Sequence, residues 1–374
     1  MKPITANAPS DGAAFSDVRI VSPAPRETWR RVFLADPDAQ PTQAPEWLDC
    51  LRAMHGYGDA SRLYELPDGR RLVLPLASRR VAGVGLVEES WPHGWGYGGV
   101  LAEGGALTEA DRRLVLADLA RRPVVRTGVV PNPLTAAAWA DVAPVTARRV
   151  EDHTQIVDLE GGYETVWTTR FRKQARRFVR KAEAMPLEIR RECGGDAERG
   201  IAMFAALYGR AVDRWATERG QPLWLARRLA ARRDRPGAVA AVAKALGDRC
   251  VIWSATRDGE PVVVDVVLQH GRHSFCWLGA ADPVLARETF ASYRLQAMEI
   301  EDACNAGVHH YNLGESEPGS GVERYKLHFG AQTLTYPALR FERLPLTTGE
   351  LRLRAAFTAV SALRARRGNR AGAR

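Results

Sequence analysis

One stretch of the chain decides its fold: Tyr311-Asn312-Leu313-Gly314-Glu315-Ser316, followed by Gly319, Gly321 and the segment Tyr325-Lys326-Leu327-His328-Phe329-Gly330. An apolar strand end runs here into a glycine-rich turn, and a lysine follows between an aromatic residue and a Phe-Gly pair. Glycines let the backbone approach a ligand closely, and the lysine brings a mobile positive charge to the same place. The stretch therefore predicts a ligand-contacting turn where a strand ends.

This segment resembles the last domain of the Fem-type aminoacyltransferases and of their acetyltransferase-like relatives in the GNAT superfamily. That domain carries a similar Asp-x-Gly-x-Ser … Gly … Phe-Lys-x-x-Phe-Gly pattern, and the resemblance extends loosely over residues 25 to 345. It implies an α/β (α+β) protein with two tandem GNAT-like domains, each a mixed, mainly antiparallel sheet flanked by helices. One departure is plain, because Asn312 stands where the pattern usually has an acid.

Two segments of the chain look alike and support a duplicated unit. Residues 61 to 76 and residues 251 to 268 each contain an apolar strand, an Asp-Gly turn and a second apolar strand. Asp-Gly between such runs is a strong hairpin signal because glycine accepts positive φ. The second hairpin is followed by a predicted strand, helix and strand at Ser274 to Leu278, Ser292 to Ala306 and His309 to Leu313. Two copies of one α/β unit are the economical interpretation, although two hairpins can also resemble each other by chance.

Chain length and these repeats predict the domain organisation. A chain of 374 residues is too long for one average domain, so two domains are expected. We expect a disordered N-terminus at 1–17, a first GNAT-like domain at 18–150 and a second at 151–345. A C-terminal helix and a basic disordered tail are predicted for 346–374.

A basic amphipathic helix is predicted at 164–184, between the two copies. Apolar residues recur there every three to four positions, and the other face carries cations. A face of this kind can track a phosphate backbone. The candidate nucleic-acid-binding residues are Arg172, Lys173, Arg176, Arg177 and Arg180. A solvated cationic face is the alternative, and acyl-CoA-using relatives also carry a basic helix at this place.

Composition limits the classes of partner and of site. The net charge of +9 and a pI near 9.6 favour polyanionic or phosphorylated partners, although a genome that prefers arginine codons explains the same excess. Five scattered cysteines without a CxxC pair argue against a disulfide framework and against structural zinc, so no metal is predicted. No run of about eighteen apolar residues occurs, and we expect a cytoplasmic protein without stable membrane insertion.

The candidate catalytic residues are Lys326, Glu315 and Asp265. By the resemblance, Lys326 contacts the acyl donor or steadies the tetrahedral intermediate, and a solvated lysine at a strand entrance is the alternative. Glu315 would orient the amine or relay its proton, or would only satisfy amides of the turn. Asp265 interrupts an apolar strand, where a carboxylate is costly without a partner, so it faces either an arginine or a cleft.

Several further residues are candidates for substrate binding. Arg324 is expected on the same strand face as Lys326, and Arg287 with the helix start at Thr289–Ser292 could hold a phosphate, although no glycine cluster precedes that helix. By the resemblance, the aromatic and glycine-rich segment at 91–99 lines the acceptor side, and its His93 is a weak candidate base. The full substrate-binding set is Tyr97, Gly98, Ser316, Gly319, Gly321, Arg324, Tyr325 and Arg287.

Together these features predict an acyltransferase that forms an amide bond. The expected donor is aminoacyl-tRNA, and the expected acceptor is the amine of a cell-wall precursor or of a small peptide-like metabolite. No tightly bound cofactor is expected. An acyl-CoA-dependent N-acyltransferase with the same fold is the first alternative. A non-catalytic RNA-binding protein on a GNAT scaffold is the second, with Asn312 as its best support.

Overall fold

The protein is described by a computed structural model that covers residues 17–81, 85–92, 94–233 and 235–352. The predicted N-terminal disorder at 1–16, the candidate base His93 and the C-terminal tail from 353 onward lie outside these residues. The start of the predicted C-terminal helix is helical at 346–352.

The first half of the chain contains, in order, β1 Arg19–Val21, α1 Arg26–Ala35, α2 Pro45–His55, β2 Gly58–Asp59, β3 Arg62–Glu65, β4 Arg71–Leu74, β5 Ala77–Val81, β6 Gly85–Glu89, β7 Leu101–Ala102, α3 Glu109–Arg121, β8 Arg126–Val129 and α4 Ala136–Val142. The second half contains β9 Arg148–Asp158, α5 Gly162–Thr165, α6 Lys173–Glu183, β10 Glu188–Cys193, α7 Glu198–Glu218, α8 Leu223–Arg233, α9 Arg235–Leu246, β11 Cys250–Arg257, β12 Glu260–His270, β13 His273–Ala281, α10 Pro283–Thr289, α11 Ala291–Asn305, β14 His310–Glu315, α12 Gly321–His328 and β15 Gln332–Glu342.

Both predicted hairpins are present. Strands β3 and β4 pair antiparallel, as do β11 and β12, and each pair turns at its Asp-Gly dipeptide. At the second turn Asp258 and Gly259 both have positive φ, 52° and 83°, as a tight two-residue connection requires. The mixed α/β architecture predicted from the sequence is confirmed.

A single sheet runs through both halves of the molecule, which the sequence did not predict. Its eleven strands lie in the order β10-β11-β12-β13-β14-β9-β15-β8-β6-β5-β2, and a four-stranded sheet, β1-β3-β4-β7, completes the first half. The connection is β15, which pairs with β9 on one side and with β8 of the first half on the other. Strand β9 also runs across the boundary predicted at residue 150.

The two halves share part of their hydrophobic core. Trp47 and Trp95 of the first half pack edge-on against each other, and Trp277 of β13 lies 5.0 Å from Trp47 and 5.6 Å from Trp95 between ring centroids. Buried side chains of α7, among them Phe204, belong to the same cluster. Packed aromatic surface of this extent fixes the halves relative to each other.

The predicted basic helix at 164–184 is interrupted, which corrects the expectation of one continuous helix. After α5 the chain makes a π-helical turn over Val166–Arg170, becomes extended at Phe171, and starts α6 at Lys173. The break has a tertiary cause, because the ring of Phe171 is buried edge-on against Phe329, with the centroids 5.1 Å apart. Arg176 satisfies the freed backbone by donating to the carbonyl oxygens of Trp167, Thr168 and Phe171.

Candidate active site

Two neighbouring parallel strands separate and leave a cavity between them. Strands β13 and β14 pair at three positions only, from His273 with His310 to Phe275 with Asn312. Beyond this point β13 carries a bulge, because Val266 of β12 faces Leu278 while the next residue faces Cys276, which leaves Trp277 as the extra residue. Strand β14 bends at Gly314, whose φ of +77° suits glycine. The β13 edge that faces the gap therefore loses its ladder partner.

The cavity at this gap, called the strand-gap cavity here, has a volume of about 450 Å³. Strands β12, β13 and β14 and helices α11 and α12 supply its walls. Its polar lining comes from Asp265, Ser292, Gln296, Glu315, Tyr325 and Lys326. All three candidate catalytic residues, Asp265, Glu315 and Lys326, therefore line the same cavity.

Lys326 is buried at the wall of the strand-gap cavity rather than solvated at a strand entrance. Helix α12 places it there, and Ser320 caps the start of that helix by accepting from the backbone of Glu323. The side chain is 6% exposed, and Nζ donates to the carbonyl oxygens of Gly314 at 2.8 Å and Glu315 at 2.7 Å and to Gln155 Oε1 at 3.3 Å. Burial lowers the pKa of Lys326 from 10.5 to about 8.

Arg324 does not share a face with Lys326, which corrects the expectation of a common strand face. Residues 321–328 form a helix, in which positions two apart point about 200° from each other. Arg324 is exposed and donates to the carbonyl oxygen of Gly319, and the backbone of Gly319 donates to Glu323. Gly319, Gly321 and Arg324 therefore build the turn into α12 and are not among the described residues that line the cavity. Tyr325 does line it, with its hydroxyl bonded to the carbonyl oxygen of Ser292.

Glu315 stands between two cavities. It is the last residue of β14 and lines both the strand-gap cavity and a second, polar cavity of about 100 Å³ against the first half, called the cross-half cavity here. Its Oε1 accepts a hydrogen bond of 2.6 Å from the hydroxyl of Tyr336 on β15. The neighbouring Ser316 donates to Gln155 Oε1, the same oxygen that Lys326 approaches. Gln155 and Tyr336 were missed in the sequence because single polar residues in strands carry no motif.

The cross-half cavity is polar and extends along the first half. Acids and a cation line it, among them Glu89, Asp152, Arg340 and Glu350. A further cavity of about 240 Å³ shares Glu89, Arg340 and Glu350 with it and continues to Arg79 and Arg126. This mixed-charge lining suits a polar or zwitterionic molecule.

Tyr97 and Gly98 do not line these cavities, which corrects the expectation that they form the acceptor side. Tyr97 is 1% exposed and packs against Phe275 and Tyr336, with centroid distances of 5.3 and 5.5 Å. A Cβ at Gly98 would overlap Ser90, so glycine is required there for packing. From the same aromatic segment, the described residues that do line the cross-half cavity are Trp91, Pro92, Gly94 and Gly96.

Asn312 has a structural role that explains its departure from the family pattern. It is buried, and its Oδ1 accepts hydrogen bonds of 2.7 Å from both Thr154 Oγ1 and the backbone N–H of Gly314. Tyr97 in turn donates to Thr154 at 2.8 Å. An amide oxygen performs this accepting role as well as a carboxylate oxygen would. Asn312 is not among the described residues that line the strand-gap cavity.

Asp265 faces the strand-gap cavity. Of the two alternatives left open by the sequence, an arginine partner or a cleft, the structure favours the cleft. In the described part of the chain, neither Asp265 nor its neighbour Glu299 on α11 makes an ion pair with a basic side chain. Desolvation raises the pKa of both carboxyl groups, and their mutual interaction raises that of Glu299 further. Such a pair holds one proton between its two carboxyl groups near neutral pH.

Arg287 does not reach the strand-gap cavity. It is exposed on α10 and is absent from the cavity's described lining. The nearby helix start is closed by its own residues, because the buried Thr289 Oγ1 accepts from the backbone N–H of Ala291 and donates to the carbonyl oxygen of Leu285. The ring of Phe290 stacks on Phe178 of the basic helix, with the centroids 4.8 Å apart. The predicted phosphate site at Arg287 thus has no support in this geometry.

The predicted nucleic-acid-binding residues form an exposed surface with one exception. Arg176 is engaged with the carbonyl groups at the helix break, whereas the other four are exposed on the surface: Arg172, Lys173, Arg177 and Arg180. Lys181 extends this basic surface over the ring of Phe290, with Nζ 5.3 Å from the ring centroid. Lys181 therefore lies beside the start of α11, one of the helices that line the strand-gap cavity.

Two features are absent from the part of the chain that the structure describes. Within residues 17–81, 85–92, 94–233 and 235–352, no cluster of three or more His, Cys, Asp or Glu side chains is placed to hold a metal ion. No helix in this part of the chain has the length and apolar character needed to cross a bilayer.

Comparison with known proteins identifies relatives of this architecture. Residues 169–327 match the acetyltransferase (GNAT) domain family. The structure of FemX superposes with a TM-score of 0.57 at 12% identity, covering 89% of this chain and 99% of FemX. The C-terminal domain of a protein assigned as lysylphosphatidylglycerol synthetase from Agrobacterium fabrum gives 0.52 at 11% identity, with 88% and 95% covered. A tandem GNAT protein from the clavulanic acid biosynthesis pathway gives 0.50 at 13% identity, with 88% and 99% covered. No curated protein sequence matches.

Proposed function

We propose that this chain, an acyltransferase whose residues 169–327 form a GNAT acetyltransferase domain, transfers an aminoacyl group from aminoacyl-tRNA to an amine. The amine belongs to a cell-wall precursor or to a small peptide-like metabolite. The observation that carries the proposal is the position of Glu315, whose side chain lines two cavities at once. One cavity holds the acyl donor and the other the acceptor, so the carboxylate stands where the two substrates meet.

Acyl transfer in this arrangement needs little covalent help from the protein. The acceptor nitrogen attacks the carbonyl carbon of the ester, so that a C–N bond forms, the C–O bond to the ribose breaks and an amide results. The amine loses one proton, which Glu315 accepts and which ends on the leaving ribose oxygen. Holding the two substrates in line accounts for much of the expected rate. The 2.6 Å bond from Tyr336 fixes the carboxylate for this role.

Lys326 supports the same step through its charge. Its ammonium group already donates to Gly314, Glu315 and Gln155, so it has no further N–H to offer an oxyanion. A positive charge in a buried wall still stabilises negative charge that develops nearby. The N–H groups of β13 beyond Phe275, which lose their ladder partner at the gap, are suitable donors to the oxyanion.

Two features support tRNA as the source of the acyl group. At the start of α11 the backbone N–H of Ala291 already donates to Thr289 Oγ1, which leaves one N–H fewer for a pyrophosphate at that helix terminus. Lys181 of α6 lies beside this helix start, and the exposed cations near it in sequence would contact the phosphates of an acceptor stem. FemX and the lysylphosphatidylglycerol synthetase domain are two of the solved structures to which this fold is similar.

An acyl-CoA donor is the second candidate. It is favoured by the matched family, which is described as an acetyltransferase domain. A non-catalytic RNA-binding protein loses its best argument, because Asn312 is a buried structural residue outside the described cavity lining.

Donor binding separates these candidates. Charged tRNA, uncharged tRNA and acetyl-CoA are titrated in parallel at about 50 mM and about 200 mM salt. Tight, salt-sensitive tRNA binding without a CoA signal, followed by transfer of labelled amino acid to an amine acceptor, supports the proposal. Saturable acetyl-CoA binding with weak tRNA affinity would refute the tRNA donor and support an acyl-CoA-dependent N-acyltransferase. The Glu315→Gln variant should bind the donor but lose transfer. Binding of tRNA by the wild type without transfer to any amine would indicate a binding protein.

A further inference from the structure

The strand-gap cavity carries an acidic pair that the acyl-transfer chemistry does not use. Asp265 lines the cavity from β12, and Glu299 of α11 stands beside it with 2% of its surface exposed. Glu299 Oε2 accepts from Gln296 and from Tyr311, and the carboxyl group of Glu299 is hydrogen-bonded to that of Asp265. One proton shared between the two acids leaves one negative charge on the pair, and a charge in a poorly solvated wall is costly without a cationic partner.

The chain makes room for this pair at the cavity wall. A Cβ at Gly279 of β13 would overlap Asp265 Oδ1, so only glycine lets the carboxyl group lie against that strand. No basic side chain of the described chain forms an ion pair with either acid. Lys326 lines the same cavity, but its ammonium group is bound to Gly314, Glu315 and Gln155. Among the described residues, Asp265 thus faces the cavity without a basic partner, which leaves its carboxyl group available to a cationic group in the cavity.

We propose that Asp265, backed by Glu299, binds the ammonium group of an aminoacyl donor and so selects amino acids over uncharged acyl groups. This inference rests on the proposed function, because it places the acyl donor in the strand-gap cavity. An ammonium group offers N–H donors and a positive charge. A carboxylate in a poorly solvated wall accepts the hydrogen bonds and attracts the charge, so both interactions favour binding. An acetyl group offers neither and would leave the acids without a partner.

The ammonium group can be the α-amino group of any amino acid or the side-chain amine of lysine. The cavity is large enough for either, with a volume of about 450 Å³. Three small probes distinguish them: alaninamide carries only the α-ammonium, Nα-acetyl-lysinamide carries only the side-chain ammonium, and N-acetylalaninamide is uncharged. Each is titrated into the wild-type protein and into Asp265→Asn and Asp302→Asn variants by calorimetry or by NMR. Asp302 is a matched control on the same helix as Glu299, paired with Arg191 and outside the described cavity lining.

The wild-type protein should bind one charged probe at least about tenfold more tightly than the uncharged probe. Asp265→Asn should abolish that preference, and Asp302→Asn should retain it. Equal binding of charged and uncharged probes to the wild-type protein would overturn the inference, regardless of the results for the variants. A preference for the charged probe that persists in folded Asp265→Asn would also overturn it. These binding measurements do not depend on transfer activity. A clear ammonium preference without transfer from any donor would refute the proposed function and support the ammonium subsite. Transfer without an ammonium preference would support the proposed function and refute the subsite.

Discussion

Replacing Lys326 by methionine should remove a specific pH dependence from the stability of the protein. Methionine keeps the unbranched side-chain length and loses the charge. Burial lowers the pKa of Lys326 from 10.5 to about 8 in the folded protein, and the unfolded chain keeps the ordinary value. Between about pH 8 and pH 10.5 the unfolded state therefore binds a proton that the folded state has lost. The free energy of unfolding of the wild type should rise with pH across this window.

The size of the rise follows from the same pKa values. One pKa unit corresponds to about 1.4 kcal/mol, so lowering the pKa from 10.5 to about 8 predicts a rise of about 3 kcal/mol. The 6% exposure of Lys326 means that solvent screening reduces this value little. The Lys326→Met variant lacks the group, so the difference between the two proteins should change by this amount between pH 7.5 and pH 10.5.

Urea unfolding of both proteins at several pH values across this window measures the difference. Other titrating groups are common to both proteins and cancel. Lys244→Met, which removes an exposed lysine of α9, is the matched control and should show no such change. A flat difference, or one that falls as pH rises, would show that Lys326 is not buried as described. Transfer activity of the wild type should also decline above about pH 8 as the ammonium charge is lost.

Three further predictions test the site. Glu315→Gln should lower kcat about 100-fold because the proton acceptor is lost, and Tyr336→Phe about tenfold because the carboxylate loses its hydrogen bond; unchanged kcat in single-turnover assays would refute the base. Asn312→Ala should lower the free energy of unfolding by about 2–4 kcal/mol, since Gly314 N–H and a threonine hydroxyl lose their acceptor, whereas Asn312→Asp should retain transfer. Serine substitution of the exposed cations at the start of α6 and along it should flatten the dependence of log Kd for tRNA on log salt by about 0.7–0.9 per lost phosphate contact, and an unchanged slope would place the tRNA elsewhere. The cations to replace are Arg172, Lys173, Arg177 and Arg180.

Local signals predicted the elements that depend on neighbouring residues. The two Asp-Gly hairpins follow from the φ preference of glycine, and both are present. Helix α12 was misread as a strand, although Ser320 followed by Glu323 is a helix-start signal of the Ser-x-x-Glu type. The interruption before α6 had no local signal, because it depends on the burial of Phe171 against a ring more than 150 positions later.

The candidate site was predictable only in part, for the same reason. Lys326, Glu315 and Asp265 all line the strand-gap cavity. Lys326 was singled out through the resemblance, Glu315 because it ends a strand at the glycine-rich turn, and Asp265 because a carboxylate in an apolar strand is costly. Their meeting in one cavity depends on the bulge in β13 and the bend at Gly314. The contacts of Tyr336 with Glu315 depend on a sheet that joins both halves, which no local pattern indicates.

The place of β15 in the sheet has a consequence for biosynthesis. This strand is the last of the strands in the described residues, yet it lies between β9 and β8 and pairs with both. Until the ribosome has released Gln332–Glu342, the nascent chain must carry two open strand edges, each able to pair with another chain. Neither half can reach its final state early, so maturation should be a single late event. Premature termination before β15 should yield an aggregating product rather than a working fragment.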